Sequence, residues 1–195
     1  MIIGRVIGNV VSVIKDPQYN GYKLLIVKEM NIIQPGNILD KLNEEVYTTL
    51  HQNIDPRDDV KDGMDLSVIS YDKKNGILEY AGAYNSLYLV RNGELIEYKA
   101  DKFAIGQSLT DNKYSNHEIN IEKGDTVYIF SDGFADQFGG EKGKKFMSKN
   151  LKRLLVDINK HDMKEQKAIL ERTLRDWMGN QYEQLDDVLI IGRRF

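Results

Sequence analysis

Residues 124–136 read Gly-Asp-Thr-Val-Tyr-Ile-Phe-Ser-Asp-Gly-Phe-Ala-Asp, an apolar run followed by an acidic turn. The run from Thr126 to Phe130 is β-branched and aromatic, which is typical of a buried strand. The Ser-Asp-Gly step that follows predicts a sharp turn, so that Asp132 projects from the end of the strand. A carboxylate at a strand end, rather than on a solvated face, is a candidate ligand.

A second acidic element precedes the last predicted strand, which covers residues 188–194. Asp186 and Asp187 stand directly before that strand. If this last strand lies beside the strand at Thr126–Phe130, Asp132 and Asp186 converge on one rim of a sheet. Two or three converging carboxylates form a site for hard cations such as Mg²⁺ or Mn²⁺. An ordinary Asp-Gly turn and a polar strand end explain the same residues, and spacing alone does not choose between the two interpretations.

The remaining chain alternates strands and helices. Asn75-Gly76 and Asn92-Gly93 predict tight hairpins, so that the four strands from 64 to 98 form an antiparallel meander. The two strands on either side of Gly124 are predicted to pair with each other, and a β-hairpin is predicted within residues 2–27. Strands are predicted at Met64–Tyr71, Ile77–Ala81, Leu87–Val90, Leu95–Tyr98, Asn116–Ile121, Thr126–Phe130 and Val188–Arg194, and helices at Pro35–Gln52, Lys144–Asn159 and Met163–Met178.

Composition limits the classes of function. The 195 residues are 41% hydrophobic and 29% charged, which fits one globular domain with a small appendage. A net charge of -3, with basic and acidic residues interspersed, argues against nucleic acid or a membrane surface as a partner. The sequence has no cysteine for disulfides or thiolate metal sites, no apolar run near the roughly 18 residues that span a bilayer, and no secretory signal pattern. We expect a cytoplasmic protein.

Three stretches resemble the SpoIIE/RsbU branch of the PPM metal-dependent serine/threonine phosphatases. They are residues 62–65 together with 81–95, then 124–140, and finally 184–192. The resemblance covers residues 31–195 and implies an α+β fold, an antiparallel β-sandwich flanked by helices. It also implies that a metal-activated water at a binuclear Mn²⁺ or Mg²⁺ centre hydrolyses phosphoserine or phosphothreonine.

The same resemblance assigns roles to particular residues. It implies that Asp132 and Asp186 are metal ligands, with no catalytic residue beyond the ligands. Asp187 and Gly133 would lie beside the ligands without binding the metal. Glycine would be needed at position 133 because two backbone segments come close there. Asp136 would also lie beside the ligands, although it could equally cap the loop.

The loop from Gly139 onward is basic, and in the family it lies beside the active site. Its lysines are therefore candidates for contacting substrate phosphate, although a solvated basic loop explains them as well. These lysines are Lys142, Lys144 and Lys145. The implied partner is a phosphoprotein, similar to the anti-anti-sigma signalling proteins on which family members act, and an oligomer is compatible with the sequence.

Upstream of about Ile32 the resemblance stops. The family's Gly-Asp-Phe-Tyr strand and its Asp-x-x-Gly-His-Gly motif, whose aspartate bridges the two metals, do not occur in the sequence. Residues 1–30 instead resemble the opening of the EutN/CcmL proteins, which form vertices of bacterial microcompartments. We therefore expect two domains, 1–30 and 31–195, with the phosphatase part truncated at its N-terminus and preceded by a β-hairpin.

This departure lowers the expected activity. Two aspartates without a bridging partner form a partial coordination shell, which binds a divalent ion weakly. We expect little or no phosphatase activity unless another carboxylate, such as Asp16 or Glu29, completes the site. The alternative is a non-catalytic structural protein in which the N-terminal hairpin drives oligomerisation, as in microcompartment vertices.

Overall fold

The computed structural model describes residues 11–12, 34–51, 63–107 and 113–195. The described chain divides into two compact units. The first unit comprises 34–51, 63–87, 98–107 and 113–122, and the second comprises 11–12, 88–97 and 123–195. Each unit combines helix with antiparallel sheet, which confirms the α+β prediction.

Most predicted elements are present, with bounds shifted by a few residues. In chain order the elements are β1 (Val11–Ser12), α1 (Pro35–His51), β2 (Leu66–Asp72), β3 (Ile77–Ala83), β4 (Leu87–Arg91), β5 (Glu94–Tyr98), β6 (His117–Asn120), β7 (Thr126–Phe130), α2 (Gly133–Asp136), β8 (Phe138–Gly139), β9 (Lys144–Lys145), α3 (Ser148–Ile158), α4 (Met163–Met178) and β10 (Leu189–Arg194).

The first unit packs α1 against a three-stranded sheet in the order β2-β3-β6. Pro35 opens the helix, where its missing N–H costs nothing. Leu39 of α1 is fully buried in one cluster with Ala81 and Ala83 of β3. The predicted hairpin between β2 and β3 is confirmed, because Gly76 takes a φ of 69° and its N–H donates to the Asp72 carbonyl.

The second unit contains a five-stranded sheet in the order β1-β10-β7-β4-β5. Its core is formed where α3 and α4 contribute leucines to the cluster around Tyr128 of β7. Helix α4 starts at a capping box, in which the Asp162 carboxylate accepts backbone N–H groups and Glu165 reaches back to the Asp162 N–H. This local signal explains why the bounds predicted for α4 are confirmed.

The predicted meander is wrong in part. Strands β2 and β3 pair with each other, but β4 and β5 belong to the other sheet. The connection after β3 has no Asn-Gly pair. Instead Tyr84 takes a φ of 58°, and the Asn85 carbonyl accepts hydrogen bonds from Tyr80 and Ser67, so the chain bends away from β3 rather than folding back on it.

The predicted pairing of β6 with β7 is also wrong. Strand β6 pairs with β3, while β7 lies between β10 and β4. The backbone of the connection bonds to the end of the chain: Gly124 N–H donates to the Phe195 carbonyl, and Phe195 N–H donates to the Asp125 carbonyl. These bonds direct the chain towards β10.

Two local predictions near the acidic turn need correction. The helix predicted from Lys144 begins at Ser148, because Lys144 and Lys145 form strand β9 and pair with β8. The loop predicted after Ser131 contains the short helix α2.

Several predictions fall outside the described residues. The hairpin predicted within 2–27 does so except for β1, which pairs with β10 through Val11 and Ile190. The domain boundary at residues 30 and 31 and the carboxylates Asp16 and Glu29 also fall outside them. Among the described helices, none has the length and apolar character required to cross a membrane.

Candidate metal centre

The candidate metal centre lies where β7 ends and β10 begins. The two strands are antiparallel neighbours, with Phe130 opposite Ile190, and Ser131 N–H donates to the Leu189 carbonyl at 2.9 Å. Asp132 follows the C-terminal end of β7, and Asp186 precedes the N-terminal end of β10. Because the two strands are antiparallel, these ends lie side by side at the same end of the sheet. The predicted convergence of the two aspartates depends on this pairing of β7 with β10, which is present.

Ser131 joins the two strand ends through its side chain. Its Oγ donates to the Asp187 carbonyl at 2.7 Å and accepts the Leu189 N–H at 2.9 Å. A hydroxyl can do both, because it is a donor and an acceptor at once. The position of Asp132, the next residue, is thereby fixed relative to the segment that carries Asp186 and Asp187.

Gly133 lies directly beneath the Asp187 backbone. A Cβ at this position would stand 2.6 Å from the Asp187 carbonyl oxygen and 3.0 Å from its carbon, and real Cβ atoms do not approach that closely. The close approach lets α2 begin immediately after Asp132. Glycine is thus required here for space between two backbones.

The pKa of Asp132 depends on partial burial and on the charges of three neighbouring side chains. Partial burial of the carboxyl raises its pKa, and the negative charges of Asp186 and Asp136 raise it further, while Lys145 acts in the opposite direction. Asp132 and Asp186 therefore interact electrostatically. A divalent cation near Asp132 would favour its ionised form.

The Asp186 carboxylate is oriented by its own chain. Asp187 N–H donates to Asp186 Oδ1 at 2.6 Å, and the Gln184 amide donates to the Asp186 carbonyl at 2.8 Å. Asp186 and Asp187 lie in the segment that leads into β10, and Asp186 is exposed. Local hydrogen bonds thus hold this carboxylate at the strand end.

The predicted phosphate-contacting lysines lie in the β8–β9 hairpin and the turn between its strands. Lys145 forms an ion pair with Asp136, with 2.7 Å between Nζ and Oδ2. Of the three candidate lysines, Lys145 is thus the one paired with a carboxylate next to the acidic turn. Lys142 and Lys144 are exposed on the same hairpin.

The residues present fit part of a divalent-cation site. Asp132 and Asp186 supply two carboxylates of the hard-oxygen type that Mn²⁺ and Mg²⁺ prefer. Across 34–51, 63–107 and 113–195, no three His, Cys, Asp or Glu side chains form a group that could hold a metal ion. The donor set is therefore incomplete within the part of the chain that the structure describes.

Sequence reasoning missed two residues that organise this region. Ser131 carried a usable signal, because a serine at a strand end commonly bonds nearby backbone groups. Gln137 carried none, since its side-chain and backbone partners include Glu183 and Trp177, which lie 46 and 40 residues away. Partners so distant in sequence are not visible in a local pattern.

The fold is that of PP2C-type phosphatase domains. The chain is similar to the SiaA-PP2C domain of Pseudomonas aeruginosa, with a TM-score of 0.72 and 31% identity over 83% of this chain and 61% of that one. A manganese-presoaked phosphatase domain of SpoIIE from Bacillus subtilis matches with a TM-score of 0.51 and 16% identity, over 85% of this chain and 76% of that one. A Mycobacterium tuberculosis structure containing RsbU and RsbW domains matches with a TM-score of 0.52 and 15% identity, over 67% of this chain and 35% of that one.

The family follows from the sequence match. The model described as Stage II sporulation protein E (SpoIIE) matches residues 20–195, so this chain belongs to the SpoIIE family. The resemblance to the SpoIIE/RsbU phosphatases is thus confirmed, and the family match begins upstream of the predicted boundary at residue 31. No curated protein matches the chain. The resemblance of residues 1–30 to EutN/CcmL proteins stays a prediction.

Proposed function

We propose that this chain is a metal-dependent protein serine/threonine phosphatase domain that hydrolyses phosphoserine or phosphothreonine on a signalling protein. The observation that carries the proposal is the placement of Asp132 and Asp186 at one end of the β7–β10 pair, where their charges interact. Membership of the SpoIIE family supports the reaction class. The chain spans 61% of the similar SiaA domain, so substrate and partner are part of the proposal.

In this proposal Asp132 and Asp186 hold Mn²⁺ or Mg²⁺. The manganese-presoaked SpoIIE structure from Bacillus subtilis supports manganese as the probe of choice. When bound, such a cation supplies an activated water and neutralises phosphoryl oxygens. Ser131 and Gly133 hold the two strand ends in register, and the Asp187 N–H orients the Asp186 carboxylate.

The basic hairpin has a role on the substrate side. Lys142 and Lys144 are exposed on the same hairpin as Lys145, which forms an ion pair with Asp136, the last residue of α2. A lysine ammonium is a flexible point charge that attracts phosphate without fixed geometry. We assign Lys142 and Lys144 to attraction of the phosphoprotein, and Lys145 to the ion pair with Asp136.

The activity of this sequence by itself is proposed to be low. The family's Asp-x-x-Gly-His-Gly motif does not occur in it, so the bridging carboxylate must come from elsewhere. A cation held by two carboxylates and water binds weakly. Vigorous Mn²⁺-dependent hydrolysis of p-nitrophenyl phosphate that is lost in Asp132→Asn would overturn this part of the proposal.

The partner is proposed to be a phosphoprotein similar to the anti-anti-sigma proteins, and the Mycobacterium tuberculosis match that joins RsbU to RsbW domains supports a signalling context. The structural alternative predicts a pentamer through the N-terminal hairpin. Light scattering separates the two, because a monomer or dimer fits the phosphatase and a pentamer fits the vertex-type protein.

The decisive experiment is equilibrium Mn²⁺ binding followed by the electron paramagnetic resonance signal of free Mn²⁺. We expect weak binding to the wild-type chain, loss of binding in Asp132→Asn and in Asp186→Asn, and unchanged binding in Asp176→Asn, which alters an exposed aspartate of α4. Equal binding to all four proteins would refute the proposed site.

A further inference from the structure

Gln137 is a buried amide directly after α2. Its side chain is 1% exposed. Its Nε2 donates to two backbone carbonyls, that of Phe138 at 3.1 Å and that of Glu183 at 2.8 Å. The second bond ties the end of α2 to the segment that leads, three residues later, to Asp186.

The backbone of Gln137 makes two further connections. Its carbonyl accepts the Phe146 N–H at 2.9 Å and the Trp177 Nε1–H at 3.0 Å. Trp177 also contacts the Phe146 ring edge to face, with 5.4 Å between ring centroids. Gln137 therefore joins α2, the chain after β9, the end of α4 and the turn before β10.

The orientation of the Gln137 amide is determined by its partners. Two carbonyls face Nε2, so the reversed orientation would set Oε1 against two acceptors. In the observed orientation Oε1 is buried, and it has no hydrogen-bond partner among the residues that the structure describes. A buried acceptor left unpaired costs stability, so a residue that serves only packing would be better replaced by an apolar one.

We propose that Gln137 is a positioning residue that holds the Asp186-bearing turn at a fixed distance from Asp132. The chain from Asp132 to Gln137 is a single helical turn, closed by the Asp136 N–H bond to the Asp132 carbonyl at 2.9 Å. One end of this turn carries the first ligand, and the other end binds the backbone three residues before the second ligand. The inference rests on the proposed function, because it assumes that both aspartates hold one cation.

Gln166 provides a matched control. It is also a fully buried glutamine of the same unit, and its amide donates to the His161 carbonyl while its Oε1 accepts from Tyr128. Neither partner belongs to the segments 131–137 or 183–187. A Gln166→Leu substitution therefore removes comparable hydrogen bonds without touching the candidate metal centre.

The test compares Gln137→Leu with Gln166→Leu in the full chain, with Mn²⁺ as the probe. We expect the Mn²⁺ dissociation constant to rise about tenfold in Gln137→Leu, as for other residues that hold metal ligands in place, and to stay unchanged in Gln166→Leu. The thermal stability of Gln137→Leu should fall no more than that of the control, since the unpaired Oε1 is removed as well. Trp177→Phe removes the bond to the Gln137 carbonyl and part of the ring packing on Phe146. It should weaken Mn²⁺ binding in the same direction, and it is the second variant if Gln137→Leu does not fold.

A second readout does not depend on metal. The Asp187 and Leu189 amides donate to Asp186 Oδ1 and Ser131 Oγ. Their hydrogen exchange, measured in EDTA, should become about tenfold faster in Gln137→Leu and not in Gln166→Leu. Unchanged exchange and unchanged Mn²⁺ affinity in Gln137→Leu would overturn the inference, as would equal effects in both variants. If Mn²⁺ binding proves insensitive to Asp132→Asn, the proposed function fails, while the exchange data still decide whether Gln137 holds the turn.

Discussion

The hydroxyl of Ser131 donates a hydrogen bond to the backbone carbonyl of Asp187, with 2.7 Å between Oγ and the carbonyl oxygen. The same Oγ accepts the Leu189 N–H at 2.9 Å. One short side chain thus closes the end of β7 onto the start of β10. Because Asp132 follows Ser131 and Asp186 precedes Asp187, the separation of the two candidate ligands depends on this closure.

Removing the Ser131 hydroxyl should loosen the site. Ser131→Ala leaves the Asp187 carbonyl and the Leu189 N–H without this partner, and we expect a loss of about 1–2 kcal/mol in the free energy of unfolding, measured by urea denaturation. Mn²⁺ affinity should fall as well. Ser67→Ala is the control, because Ser67 makes a similar bond to the Asn85 carbonyl in the first unit. Unaltered Mn²⁺ affinity in Ser131→Ala would contradict the positioning role of this hydroxyl.

Adding a methyl group at Gly133 should separate the two strand ends. The new Cβ would meet the Asp187 carbonyl at 2.6 Å, so the backbone must shift, and we expect a loss of about 2 kcal/mol together with weaker Mn²⁺ binding. Gly124→Ala has no such neighbour within 4 Å and costs only the backbone strain of its φ of 97°. That control should lose about 1 kcal/mol and keep its Mn²⁺ affinity. Wild-type binding by Gly133→Ala would argue against a site built on this close approach.

The charge of Asp132 should destabilise the metal-free protein at neutral pH. Partial burial and the charges of Asp186 and Asp136 raise its pKa above the ordinary value of 3.8. The folded protein therefore holds this proton more tightly than the unfolded chain, and stability falls as the pH rises from the unfolded pKa through the folded one. Asp132→Asn should consequently be more stable than wild type at pH 7 in EDTA, and the difference should shrink as the pH is lowered through the raised pKa of the folded protein towards 3.8.

With Mn²⁺ present, the wild type should become more stable than Asp132→Asn. At ten times the dissociation constant, a bound ion adds about 1.4 kcal/mol to the stability of the protein that binds it. Thermal denaturation with and without Mn²⁺ should therefore show stabilisation of the wild type and none of Asp132→Asn. Equal stabilisation of both proteins would place the ion elsewhere.

A buried ion pair outside the candidate metal centre supports β7. Arg91 donates to both carboxylate oxygens of Asp125, at 2.9 and 2.6 Å, and Asp125 is 2% exposed. Arg91→Met should cost about 3 kcal/mol, because it leaves a buried carboxylate without its cation. Lys167→Met, which breaks an (i, i+4) pair with Glu171 on α4, should cost at most about 0.5 kcal/mol. A small effect of Arg91→Met in urea denaturation would show that water or other donors satisfy Asp125.

The sequence predicted those elements whose signals are local. Helix α1 opens at a proline and α4 at a capping box, and the β2–β3 hairpin turns at Asn75-Gly76. The sheet order was not predictable, because the bend at Tyr84 depends on side chains of strands β2 and β3 that reach the Asn85 carbonyl.

The residues of the candidate metal centre were likewise predictable only in part. Asp132 and Asp186 stand at strand ends, which a sequence pattern reveals, and the β7–β10 pairing brings those ends together. Ser131 and Gln137 act through backbone atoms 46 to 58 residues away, so their roles emerge only once the strands are placed. The roles of the two aspartates as ligands stay a prediction.

Asp132 and Asp186 are proposed to share one cation, and anomalous diffraction at the manganese edge would locate that ion. Crystals soaked in Mn²⁺ should show an anomalous peak within about 2.0–2.6 Å of a carboxylate oxygen from each residue. A peak bound to only one of the two aspartates, or no peak at the β7–β10 end while Mn²⁺ occupies other positions, would show that Asp132 and Asp186 do not share an ion.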